Sequence, residues 1–253
     1  MSRRRDPFES PKRRFTRAKE DIRRLEKRIY TFMHKTPPSR WEEVDSEGFT
    51  VHSLKFPRPI PESWSDSAGD AIEHLRSVLD QCGYAAAVLG GKKEPKSAYF
   101  PFADTASDLI NVIKGRCKDL PIEISDLFAN FSPYETGNYP LWALNKLCGA
   151  NKHRLLVPVA PTVSAIRFFQ AGFMRGPAEL LLRWNDEKHQ FEFARVGAGG
   201  EFKYDMGVTI HIIFDEINGV KGGPAVGILD AIASEVQRVL VTTEAECRRL
   251  KLC

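Results

Sequence analysis

Gly69-Asp-Ala-Ile-Glu-His-Leu-Arg-Ser-Val-Leu-Asp-Gln81 is the stretch on which the reading of this chain turns. Placed at 100° per residue, Ala68, Ala71, Ile72, Leu75, Val78, Leu79, Cys82, Ala85, Ala86 and Leu89 fall on one broad side. Asp66, Asp70, Glu73, Arg76, Ser77, Asp80 and Tyr84 fall on the other. That pattern predicts a long helix with a wide apolar face. Ser65 and Ser67 are suitable N-caps, and Ser67 with Asp70 has the spacing of a capping box. Gly69, Gly83 and the run Ala85 to Ala87 are small, which predicts close packing on several sides.

The polar side holds the first candidate site. Glu73–Arg76 and Arg76–Asp80 have the i,i+3 and i,i+4 spacings at which helix side chains meet. His74 and Gln81 lie within the same two turns. The expected partner is Asn151-Lys-His-Arg154, the end of a second helix, which would bring Lys152, His153 and Arg154 to these charges. Two readings stay open. A packed cluster of paired charges holds two helices in register. Alternatively, a histidine beside a carboxylate and an arginine supplies general acid–base chemistry on a phosphodiester. In that second reading Arg76, Asp80, His153 and Arg154 are catalytic. Asp70, Glu73, His74, Gln81, Lys152 and Tyr134 are then binding residues. Basic residues at a helix C-terminus also have a simpler cause, the negative end of the helix dipole.

The 253-residue chain carries a net charge of +4, unevenly spread. Residues 1–28 hold 12 Lys/Arg against 5 Asp/Glu, a balance of +7, which leaves −3 for the rest. The basic character is thus N-terminal, and a basic arm points to nucleic acid as a partner. Residues 1–11 read as a disordered arm. From Lys12 to Lys35, Phe15, Ala18, Ile22, Leu25, Ile29 and Phe32 step by three and four, a narrow helical seam. Its remaining positions are mostly Arg and Lys, interrupted by Glu20, Asp21 and Glu26. Such a face is either a phosphate-binding surface or a solvated helix surface.

Pro37-Pro38 ends that helix, and residues 48–56 alternate as a strand. Short helices are expected near Ser107–Arg116 and Pro121–Phe131, and a further one from Leu141. After Arg154 the pattern turns to strands, over 155–160, 163–170, 179–184, 190–196, 201–206 and 208–214. Turns are expected at Asn185–Lys188 and Gly197–Gly200. A last helix runs from Pro224 to about Thr243. The expected class is α+β: a helical region over 12–153, then an antiparallel meander and a C-terminal helix over 154–253, packed as one unit.

Several chemistries lack their motifs. There is no Gly-x-Ser-x-Gly elbow, no Rossmann fingerprint and no Walker loop. The six histidines and five cysteines show no metal-ligand spacing, so no cofactor or metal is expected. Scattered, odd-numbered cysteines fit a reducing cytoplasm. No apolar run is long enough to span a bilayer, and no membrane partner is expected. A third reading is a small-ligand pocket between sheet and helices lined by Tyr134, Trp142 and Phe169.

The motifs taken together carry a resemblance. Gly69-Asp70, His74-Leu-Arg-Ser-Val-Leu-Asp80, Pro133-Tyr134, Leu141-Trp142 and Lys152-His153-Arg154 resemble a widespread bacterial hypothetical-protein family without an assigned activity. Its members read roughly Gly-Asp, then Asn-Leu-Arg-Ser-Ala-Leu-Asp-His, then Asp-Lys-His-Arg. The match spans about residues 12–156. The Arg-Ser-Ala-Leu-Asp-His form is distantly similar to the signature of HEPN proteins, in which an arginine and a histidine share one helix. That likeness implies a helical, often homodimeric protein, and in many members a metal-independent RNase. The arginine would be Arg76. The histidine position is Gln81, which cannot exchange a proton at neutral pH, so His74 or His153 would have to substitute, or the protein is not a nuclease.

Overall fold

The computed structural model describes residues 6–59, 61, 63–153, 159–214, 220 and 223–252, with side chains described outside 150–153, 159–175, 182 and 203–214. In chain order these form α1 (Glu9–Lys35), β1 (Ser39–Val44), β2 (Thr50–Lys55), α2 (Ser63–Leu89), α3 (Ala106–Arg116) and α4 (Ile122–Asn130). Then follow α5 (Tyr139–His153), β3 (Val159–Arg175), β4 (Ala178–Asn185), β5 (Gln190–Val196), β6 (Glu201–Phe214), β7 (Gly223–Pro224) and α6 (Ala225–Arg249). The class is α+β, with every strand pairing antiparallel.

α2 is the centre of the helical part. Trp64, Ala68, Ile72, Leu75, Val78, Leu79, Cys82 and Ala86 are buried, and they join one core with α1, α5 and α6. α1 contributes Ala18, Ile22, Leu25 and Phe32, the expected seam. It lies antiparallel to α2, because Ser10 meets Gln81, Asp21 meets His74 and Arg28 meets Ser67. α6 closes the other side with Leu229, Ile232, Val236 and Val239, tied to α1 by Lys12–Glu244 at 2.7 Å and Lys19–Asp230 at 2.8 Å.

Two helix starts differ from the sequence reading. α1 begins at Glu9 rather than Lys12. Phe8 and Pro11, counted there with a disordered arm, are both buried, Phe8 at 1% exposure. A hydrophobic residue just ahead of the first turn outweighs the basic composition around it. α2 begins at Ser63, so Ser67 is interior and not a cap. Its hydroxyl donates to the Ser63 carbonyl at 2.9 Å and accepts from Arg28. The far end of α2 is closed by glycine. Gly91 sits at φ +95°, and the amides of Gly91 and Lys92 bond back to the Val88 and Ala87 carbonyls. This is the glycine-terminated helix end in which a left-handed residue lets the chain satisfy the last carbonyls.

The strands form a four-stranded sheet, β1-β2-β5-β4, and a three-stranded one, β3-β6-β7. The halves of the chain therefore interleave: the hairpin β1–β2 from before α2 completes the sheet begun by β4–β5. Strands expected as two pieces are continuous. β3 runs through Pro161, tolerable because β3 is an edge strand whose outer side needs no amide donor. β6 runs through Gly207, opposite Arg167. The turns at Asn185–Lys188 and Gly197–Gly200 connect β4 to β5 and β5 to β6 as expected.

Candidate functional site

The polar side of α2 opens onto a cleft of about 310 Å³. One wall is Glu73, Arg76, Ser77, Asp80, Gln81 and Tyr84. The other is Pro95, Ala98 and Tyr99, from the segment that follows α2. Gly83 makes this architecture possible. A Cβ there would lie 2.2 Å from the Ala98 carbonyl oxygen, so only glycine lets the second wall approach. Phe100, fully buried beside Tyr99, anchors that wall against Phe102 and Phe128. Asp119 fixes its start by accepting the Lys96 and Ser97 amides at 2.8 and 2.9 Å. Those two amides hold the Asp119 carboxyl below its usual range, with Lys92 adding to them. The Cys117 thiol donates to the Tyr99 carbonyl, and burial pushes its pKa up to about 11.

Arg76 is the hub, and it points inward. Its Nη1 donates to Asn145 Oδ1 of α5 at 2.6 Å, and the guanidinium lies over the Phe102 ring at 3.9 Å. Its Nε is 3.5 Å from Asp80 Oδ2, close enough for charge attraction but without an aligned hydrogen bond. Burial lowers the Arg76 pKa from its ordinary value, with Asp80 acting against it. Asp80 Oδ1 in turn accepts the Phe100 amide at 3.4 Å. One turn earlier, the Cys148 thiol donates to Glu73 Oε1 at 3.2 Å. α5 thus reaches α2 through Asn145 and Cys148. The guanidinium joins α2, α5 and the post-α2 segment, as a packing network would.

The other sequence candidates scatter around this hub. His74 turns away from the cleft toward α1, its Nδ1 2.8 Å from Asp21 Oδ2, and Asp21 also accepts from Arg24. Gln81 is on the lip, donating to Ser77 and accepting from Ser10 Oγ at 3.0 Å each. Asp70 is exposed on α2, outside the cleft. Tyr134 is half-buried in the loop between α4 and α5, where its carbonyl accepts the Gly137 amide. Trp142 is a core residue at 4% exposure. Lys152 and His153 fall in the last turn of α5 and Phe169 in β3, with their side chains outside the described residues, as is Arg154 altogether. Among the described residues no group of three or more His, Cys, Asp or Glu could hold a metal ion. None of the helices described there is long and apolar enough to cross a membrane.

A second polar surface is the outer face of α1. Arg13, Arg17, Arg23, Arg24, Lys27 and Arg28 are exposed along it. Arg24 pairs with Asp21 and Arg28 bonds Ser67, whereas Arg13, Arg17, Arg23 and Lys27 make no ion pair among the described residues. Near its C-terminal end, Arg24, Lys27, Arg28 and Arg58 rim a groove of about 320 Å³ over Phe32 and Trp64. Sequence reasoning found this helix. It missed Asn145 and Arg58, whose roles depend on which segments fold back onto α1 and α2.

No protein-family model, curated protein or solved structure matches this chain.

Proposed function

We propose that this is a HEPN-like nucleic-acid-binding protein that does not cleave what it binds. The observation that carries the reading is the outer face of α1. Arg13, Arg17, Arg23 and Lys27 stand exposed and unpaired among the described residues, while the remainder of the chain is net acidic. Unpaired guanidinium and ammonium groups along one helix face suit a row of phosphates, whose binding releases condensed counterions. A packed helix also fixes the backbone that carries those charges, so that only their side chains remain to be ordered on binding.

The α2 cluster supports an absence of cleavage, and His153, whose side chain lies outside the described residues, is addressed by the test below. General acid–base work needs a group that exchanges a proton near neutral pH. Gln81 cannot, and its amide is already engaged with Ser10 and Ser77. His74 is committed to Asp21 on the other side of the helix. Arg76, turned into Asn145 and Phe102, serves the packing of three segments. A homodimer and a cytoplasmic site of action belong to the same proposal. The test is a shift assay with labelled RNA at low salt, followed on the same samples by a denaturing gel. Retarded but intact RNA is expected. Absence of any complex overturns the binding reading, and specific cleavage lost in His153→Ala overturns the claim of inactivity.

A further inference from the structure

We propose that the cleft between Tyr84 and Tyr99 receives one unstacked nucleobase carrying an exocyclic amino group, while the phosphates on either side stay on α1. This rests on the nucleic-acid reading above and names what the second surface contributes to it. Tyr84 and Tyr99 are large aromatic side chains left 51% and 42% exposed, on opposite walls of a space of about 310 Å³. The Arg116 guanidinium lies over one side of the Tyr99 ring, 5.1 Å from its centroid, and an exposed aromatic ring beside a gap is the usual platform for a base pulled out of a strand.

The gap is lined by two carboxylates, Asp80 and Glu73, together with Arg76, the Gln81 amide and the hydroxyls of Ser77, Tyr84 and Tyr99. Arg76 gives Nη1 to Asn145 and the face of its guanidinium to Phe102. The anionic groups at the cleft are the carboxylates of Asp80, whose side chain is 30% exposed, and Glu73. Two carboxylates repel a phosphate and accept N–H groups. Adenine, cytosine and guanine offer an exocyclic amino group to such acceptors. Uracil and thymine present one ring N–H flanked by two carbonyl oxygens, which carboxylates repel.

The cleft also adjoins the basic face. Ser10, in the first turn of α1, donates to Gln81 on the cleft lip at 3.0 Å. Arg14 and Arg17 follow at the i+4 and i+3 spacings that keep them on the Ser10 side of the helix. A strand lying on Arg14 and Arg17 therefore passes the mouth of the cleft, with its bases free to turn in.

The test compares single-stranded A, C and U homopolymers with a duplex of equal length, by fluorescence anisotropy at low salt. Three proteins are titrated: wild type, Tyr84→Ala and a charge-reversed α1 variant (Arg13, Arg17, Arg23 and Lys27 all to Glu). Tyr84 is exposed, so its truncation leaves the fold intact; a thermal melt confirms this. Wild type is expected to prefer A and C strands over U. Tyr84→Ala is expected to weaken A and C strands by about five- to 100-fold, the range of one stacked base, and to leave the duplex within twofold. If Tyr84→Ala changes nothing while the α1 variant loses binding, the base cleft is refuted and the nucleic-acid reading stands. If wild type binds no strand, both fall.

Discussion

α1 and α2 make an instructive pair. Each is 27 residues long, each buries one side in the same core, and each carries charges on the other. In α2 the charges of the middle turns are drawn into the structure, with Arg76 on Asn145 and Asp80, Glu73 on Cys148, and His74 on Asp21, while Asp66 and Asp70 stay exposed. On α1, Arg13, Arg17, Arg23 and Lys27 reach nothing among the described residues. The difference lies in neighbours. α2 is overlain by α1, α5, α6 and the segment through Tyr99, whereas α1 is covered on one side only. Charges of the first kind hold a fold together, with Asp80 and Glu73 also lining the cleft, and charges of the second kind are free of any structural partner among the described residues.

This contrast can be broken most severely at Arg76. Arg76→Ala removes a buried cation from two helices and leaves Asp80 and Asn145 without it. Truncating one partner of a fully buried pair costs about 3–5 kcal/mol. Because Asp80 retains 30% exposure, about 2–4 kcal/mol is expected here, read as a drop in the denaturation midpoint. A neutral Arg76→Ala would move the α2 cluster from scaffold to surface. Gly83→Ala tests the cleft wall. A new Cβ 2.2 Å from the Ala98 carbonyl must displace backbone, and the strain, about 1–3 kcal/mol, outweighs the gain in helix propensity of about 1 kcal/mol. Unchanged stability would mean that the wall is not seated on α2.

A smaller effect is expected with pH. The Asp119 carboxyl is held below its ordinary value of 3.8 by the Ser97 and Lys96 amides. A depressed folded-state pKa contributes stability that is fully present above the unfolded value and lost as pH falls through the folded one. The amides of Lys96 and Ser97 should therefore stay protected in hydrogen exchange at neutral pH and open only as pH falls below 3.8 and through the depressed folded-state value. In Asp119→Ala they should be open throughout. Protection independent of both pH and Asp119 would contradict this role.

The sequence made the helices legible because period and burial agree. The seam of α1 and the broad face of α2 are both where the spacing puts them. β1 escaped notice because its six residues, Ser39-Arg-Trp-Glu-Glu-Val44, form an edge strand exposed at nearly every position and so carry no alternation. For the site, local spacing was informative and long-range spacing was not. Arg76 and Asp80 meet as i,i+4 neighbours must. His74, two residues from Arg76, lies about 200° around the helix and faces α1, although it is adjacent in sequence. The far wall of the cleft depends on Gly83 admitting the Ala98 backbone, a contact that no residue pattern announces.

The most direct test of the contrast is the salt dependence of RNA binding in wild type, Arg76→Met and the α1 variant with Arg13, Arg17, Arg23 and Lys27 changed to Glu. If those four side chains each engage a phosphate on a single strand, log Kobs should fall against log salt with a slope of about −3 in wild type. The slope should vanish in the α1 variant, at unchanged melting temperature. It should persist in Arg76→Met, at lowered melting temperature. A slope that survives charge reversal on α1, or that disappears with Arg76 instead, would contradict the account.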